Sequence, residues 1–163
     1  MGKITFPEGT TIALDTAPLI YFFENISPYT KIISSLFEES EKKKIRFICS
    51  TITISEIFVK PFKDNQRDTQ KMLEHVLVKN PEISIVPVTI SIALEASKIR
   101  ANYNIRTPDS IQIATAKKYS DYLITNDKKL ERYPHLKIKV LESLISILLV
   151  LKGPFSLFSF FLF

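Results

Sequence analysis

Four carboxylates stand against strongly apolar runs. Asp15 closes Thr-Ile-Ala-Leu-Asp, and Glu56 lies inside Ile-Thr-Ile-Ser-Glu-Ile-Phe-Val. Asp109 follows a Thr-Pro pair and opens Asp-Ser-Ile-Gln-Ile-Ala-Thr-Ala, while Asp127 ends Tyr-Leu-Ile-Thr-Asn-Asp. A carboxylate beside apolar residues is costly to desolvate unless a positive partner compensates it. A divalent cation does so with oxygen ligands alone, and the chemistry such a set implies is that of a metal-dependent enzyme.

The surrounding segments alternate between strand and helix. Thr11 to Leu14 is short, β-branched and apolar, and predicts a buried strand. Ala17 to Glu24 reads as a helix with Thr16 as N-cap and Pro18 in its first turn. Ser27-Pro28 repeats that cap-then-proline signal before a helix over Tyr29 to Lys43. Ile45 to Ser50 predicts a second strand, and Thr51 to Lys60 a helix stopped by Pro61. Arg67 to Lys79 is amphipathic, with Met72, Val76 and either Leu73 or Leu77 on one side. Further strands are expected over Ile83 to Val88, Tyr122 to Thr125 and Ile138 to Leu141, and helices over Thr89 to Tyr103 and from Thr107 to about Lys118. Strands separated by helices of this length imply an α/β protein: a three-layer α/β/α sandwich around a mostly parallel central sheet. The expected domain spans residues 4–143, with no internal repeat or low-complexity linker.

This architecture gives the acids a reason to meet. Ligands of open parallel sheets bind beyond the carboxyl ends of the strands, where the strand order reverses. Asp15 and Asp127 both fall at expected strand ends. Glu56 shares a helix face with Ile52 and Val59, and Asp109 sits in a first helical turn aligned with Ile113 and Ala116. Acids crowded together raise one another's pKa, a conflict that Mg²⁺ or Mn²⁺ would resolve. Taken singly, Asp15 reads equally as a helix cap, Asp109 as a favourable charge at a helix N-terminus and Asp127 as a turn residue. Glu56 on an apolar stripe is harder to explain in that way.

The ordered set resembles the PIN-domain family, and in particular the VapC-type toxin ribonucleases of type II toxin–antitoxin systems. The resemblance runs from Ala13 to Glu142 and rests on four segments: Leu14-Asp15-Thr16-Ala17-Pro18-Leu19-Ile20-Tyr21, Ile54-Ser55-Glu56-Ile57, Pro108-Asp109-Ser110-Ile111-Gln112-Ile113-Ala114-Thr115-Ala116 and Leu123-Ile124-Thr125-Asn126-Asp127-Lys128. It implies a PIN-like, Rossmann-like fold and an endoribonuclease that uses Mg²⁺ or Mn²⁺. Asp15, Glu56 and Asp109 would be the principal ligands, with Asp127 completing the site through water. Thr16 and Thr125 would orient carboxylates by hydrogen bonding. Water activated by the cation would leave a 5′-phosphate and a 3′-hydroxyl. The resemblance further implies a homodimer held inactive by a cognate antitoxin, whose C-terminal segment enters the acidic groove.

Other chemistries find less support. His75 and His135 lie on an amphipathic segment and in a Tyr-Pro-His turn with no acid motif beside either, so a two-histidine ribonuclease mechanism is not expected. There is no Gly-x-Ser-x-Gly, and three glycines supply no phosphate-cradling loop. A phosphatase of haloacid-dehalogenase type would want a second Asp at position 17, which is Ala17. The competing reading is a PIN-like module that binds RNA or a protein without cutting. Arg106, Lys128 and Lys129 border the acids in sequence and are the candidate contacts to RNA phosphates.

Composition agrees with one soluble domain. The 163 residues are 45% hydrophobic and 24% charged, with net charge +5 and pI near 9.2, which favours polyanionic partners. The single cysteine, Cys49, ends an apolar run; it excludes an internal disulfide and suits a reducing, cytoplasmic setting. Residues 144–163 depart from this pattern: fourteen of them are apolar and only Lys152 is charged. Lys152-Gly153-Pro154 interrupts the run, so a frayed, partly helical extension packing on the domain or a partner chain is expected before a membrane anchor.

Overall fold

The computed structural model describes residues 5–79 and 83–145, and the apolar stretch read over 144–163 therefore lies largely outside the described residues. The five strands are β1 (Thr11–Leu14), β2 (Arg46–Ser50), β3 (Ile83–Val86), β4 (Tyr122–Thr125) and β5 (Lys137–Val140). They form one sheet in the order β3-β2-β1-β4-β5, and every pair is parallel. The order departs in both directions from β1, so β1 and β4 flank the switch point at which crevices open in such sheets.

Side chains alternate across the strands and divide the core in two. Ile12, Leu14, Phe47, Cys49 and Ile124 pack into one cluster; Ala13, Ile48 and Leu123 pack into the other. Helices α1 (Thr16–Phe23) and α2 (Tyr29–Lys43) cover the first face through Leu19, Ile33 and Leu36. Helices α6 (Ile90–Tyr103) and α7 (Thr107–Tyr119) cover the second through Ile92, Ala96, Ile99 and Ile113. This is the expected α/β/α sandwich. Cys49 lies within the first cluster, and burial pushes its thiol up to about 12, so it behaves as a small hydrophobe.

Several element ends differ from the sequence reading, each for a local reason. Asp15, not Thr16, caps α1: its extended backbone lets the carboxylate accept from the Thr16 N–H. No side chain caps α2, which begins after a cis Ser27–Pro28 bond. The helix expected over Thr51 to Lys60 is two: α3 (Thr51–Ile57) and α4 (Val59–Lys63). Pro61 lies inside α4 instead of ending the helix. A proline removes the bond to the carbonyl four residues back and clashes with it, and that carbonyl belongs to Ile57, where α3 stops. Pro61 then falls in the first turn of α4, where its missing N–H costs nothing.

The segment over Arg67 to Lys79 begins as α5 (Arg67–Leu73) and continues as a π-helical stretch over Glu74–Lys79. Leu73 and Leu77 are both buried, whereas Met72 is 39% exposed, so the apolar face is centred one position away from that expected. β3 ends at Val86, before Pro87, and β5 runs one residue earlier than expected. The register Leu123↔Ile138 and Thr125↔Val140 sets the latter. Among the described residues no helix is long and apolar enough to cross a membrane.

Candidate active site

A cleft of about 460 Å³ opens at the carboxyl edge of β1 and β4, and all four acids line it: Asp15, Glu56, Asp109 and Asp127. Thr16, Ala17, Ile20, Tyr21, Arg106 and Asn126 complete its walls. The topology explains the convergence. Asp15 follows the last residue of β1, and Asp127 stands two residues beyond β4. Glu56 lies in the last turn of α3, which leaves the end of β2, and Asp109 lies in the first turn of α7.

Asp15 is the most enclosed of the four, at 8% exposure. Its Oδ1 accepts from the Thr16 N–H at 2.7 Å and its Oδ2 from the Thr125 hydroxyl at 2.6 Å. Burial above all, with the neighbouring charges of Asp109 and Glu56, pushes its carboxyl up to about 6 against those two hydrogen bonds. Thr125 is itself fully buried and also accepts from the Asp127 N–H at 3.0 Å, so one hydroxyl ties two of the acidic positions together.

Thr16 has a second partner. Its hydroxyl donates to Glu56 Oε2 in a short hydrogen bond. The Thr16 oxygen in turn accepts from Gln112 Nε2 at 3.3 Å, and that amide donates to the Thr53 hydroxyl at 2.7 Å. Gln112 and Thr53 are both buried, so the carboxylate of Glu56 is oriented by a relay rooted in α7 and α3. Val59, expected on the same stripe as Glu56, is 61% exposed because the chain breaks at Phe58 and Val59 starts a new helix.

The opposite rim sets one cation between two acids. Arg106 immediately precedes α7, and its guanidinium grips Asp109 with two bonds, Nε to Oδ2 at 2.8 Å and Nη2 to Oδ1 at 3.3 Å. The same Nη2 stands 3.9 Å from Asp127 Oδ2. The hydrogen bond to Asp109 and the charges of Asp109, Asp127 and Glu56 hold Arg106 more firmly protonated. Asp127 also accepts the Lys129 N–H at 2.8 Å through Oδ1.

Of the basic candidates, only Arg106 has its side chain in the cleft wall. Lys128 pairs with Glu142 at 3.2 Å, and Lys129 meets the site through its backbone N–H. Sequence reasoning assigned no role to Gln112, Thr53, Tyr21 or Asn126. Asn126 donates to the Tyr21 hydroxyl at 3.1 Å and accepts from the Glu142 N–H at 3.0 Å, joining two walls of the cleft to the segment after β5. Tyr21, Asn126 and Gln112 all lay within the quoted segments and Thr53 outside them, but none is an acid or a base, and a lone Gln in a helix reads as surface.

The donor set consists of carboxylate oxygens alone, the chemistry that suits a hard cation such as Mg²⁺ or Mn²⁺. Among the described residues, however, no three Asp, Glu, His or Cys side chains stand close enough to hold one ion as they are placed. The hydrogen bonds account for this: Thr125 and Thr16 hold Asp15, Thr16 holds Glu56, and Arg106 holds Asp109. The donors fit such an ion in kind, and all four carboxylates line the one cleft.

Comparisons with known proteins agree with this architecture. A family model described as PIN domain matches residues 12–136. No curated protein matches the chain. Among solved structures, DNA-bound VapBC from Salmonella typhimurium aligns with TM-score 0.66 at 17% identity, covering 81% of this chain and 98% of that one. VapBC2 from Rickettsia felis, bound to a DNA fragment from its promoter, gives 0.63 at 16% identity, with 80% and 98% covered. FitAcB from Neisseria gonorrhoeae gives 0.63 at 20%, again with 80% and 98% covered. Likeness at these identities speaks to the fold.

Proposed function

The chain belongs to the PIN domain family, and from that premise we propose that it is a metal-dependent endoribonuclease, the toxin of a toxin–antitoxin pair. The observation that carries the reading is the meeting of Asp15, Glu56, Asp109 and Asp127 in one cleft at the carboxyl edge of the sheet. A bound Mg²⁺ or Mn²⁺ would polarise the scissile phosphate, acidify the attacking water and stabilise the charge that develops.

The chain's own residues prepare that chemistry. Asp15 is locked by two donors and presents its remaining lone pairs to the cleft. Glu56 is aimed by the Thr16 hydroxyl, which is polarised by Gln112. Asp109 and Asp127 form the outer rim, with Arg106 between them, where a phosphate would meet its guanidinium. Lys128 and Lys129, exposed beyond the rim, supply further positive charge for an RNA backbone.

The partner assignments belong to the same reading. The substrate is RNA, and the inhibitor is a cognate antitoxin, a reading supported by a toxin–antitoxin complex from Klebsiella pneumoniae that shares this fold with TM-score 0.59 at 22% identity. A second cavity, of about 490 Å³ and lined by Ile20, Phe23, Ile57, Met72 and Leu73 among others, shares Ile20 and Glu56 with the acidic cleft. An antitoxin segment with apolar anchors leading to a polar tip would suit the pair of cavities. The active species is proposed to be a homodimer of cytoplasmic subunits, each with its domain over residues 4–143.

The test is direct. Antitoxin-free protein incubated with defined RNAs in Mg²⁺ or Mn²⁺ should cut them, and EDTA should stop it. Asp109→Asn should abolish cleavage while circular dichroism and melting stay close to those of the parent. Unchanged cleavage by that variant would remove these acids from the site. The held positions of Glu56 and Asp109 favour one second reading, a non-cleaving RNA- or protein-binding module, and absence of product across varied RNAs would select it.

A further inference from the structure

Arg106 is tied to the site by more than proximity. Its backbone is fixed just before α7, where its carbonyl accepts from the Ser110 N–H at 2.9 Å. From there the guanidinium takes both oxygens of Asp109, whose side chain is only 15% exposed, while the Arg106 side chain is 77% exposed. It also reaches toward Asp127 at 3.9 Å. Each Asp109 oxygen thus already has a cationic donor, and the positive charge stands between two of the four proposed metal-positioning acids. A divalent ion entering the cleft must break that fork or share Asp109 with a like charge.

We propose that Arg106 is an internal counterion that competes with the divalent cation for Asp109 and Asp127, and that cation entry turns its guanidinium outward toward the RNA phosphate. The inference rests on the metal-dependent reading of the cleft and deepens it. Arg106 is then a positioning residue with two settings. Against Asp109 it holds the outer acids apart from the inner pair, Asp15 and Glu56. Released, it is a free fork for a phosphate at the mouth of the cleft. High exposure gives the side chain room to move, and the anchored backbone keeps its swing short.

The experiment is Mn²⁺ titration by calorimetry of antitoxin-free protein at low ionic strength, comparing the parent with Arg106→Ala, Arg106→Lys and Asp15→Asn. Removing a two-bond, charge-assisted competitor should tighten Mn²⁺ binding by about three- to tenfold in Arg106→Ala. Arg106→Lys, a point charge without the fork, should fall between Ala and the parent. RNA binding in Mn²⁺ should meanwhile weaken in Arg106→Ala. Unchanged or weaker Mn²⁺ affinity in Arg106→Ala would overturn the competition. Where that happens while the parent binds Mn²⁺ and Asp15→Asn does not, only the competition falls and the metal site stands. If neither the parent nor Arg106→Ala binds Mn²⁺, the competition and the metal-dependent reading fall together.

Discussion

Asp15 illustrates how one side chain carries structural and chemical demands at once. It ends β1, caps α1 and faces the cleft, and its burial lifts its carboxyl from 3.8 to about 6. Asp15 therefore keeps its proton to higher pH in the folded protein than in the unfolded chain. Without metal, stability should fall as pH rises from about 4 to about 6 and then level off, a cost of about 3 kcal/mol at most. Asp15→Asn should recover part of that at pH 8 and nothing at pH 4, as chemical denaturation in EDTA would read. An equal effect at both values would assign the change to lost hydrogen bonds. The four acids were legible in the sequence because each abuts an apolar run, which makes an uncompensated charge conspicuous. The relay behind Glu56 was not. Gln112 meets Thr53 and Thr16 across separations of 59 and 96 residues, and nothing local to a helical Gln announces such partners.

Elements were read well where hydrophobic pattern decides and less well where backbone detail decides. β1 and β4 were expected over the residues they occupy, because a buried parallel strand reads as a short apolar run. The break between α3 and α4 was misplaced, since Pro61 acts on a carbonyl one turn earlier and tolerates its own place in a new first turn. The change from α5 to π-helix also escaped the pattern; a wider turn rotates the face so that Leu73 and Leu77 both enter the core. Leu77, fully buried there, gives this a test. Leu77→Ala should cost about 2–5 kcal/mol in urea denaturation, whereas Met72→Ala on the neighbouring, partly exposed position should cost under about 1. Similar losses at both would mean that the face is centred elsewhere.

At the scale of the whole molecule, an all-parallel sheet with β1 at its centre gathers the ends of β1, β2 and β4 along one edge, and residues far apart in sequence meet there without long loops. The net charge of +5 places that acidic cleft in a positively charged molecule. Substrate attraction should therefore depend on salt even though the chemistry is performed by acids. If RNA binding engages about three phosphates, raising salt from 50 to 200 mM should weaken it about ten- to twentyfold, measured with the Asp109→Asn protein to prevent cutting. A flat response would separate binding from the basic surface. The joint formed by Asn126 has a mechanical consequence. Its amide holds the Tyr21 hydroxyl on one side and the Glu142 backbone on the other, so the chain leaving β5 is fastened to the cleft wall through Asn126. Tension applied through that exit would be delivered to the cleft as strain on Asn126, whose neighbour is Asp127, making the exit a handle on the outer rim.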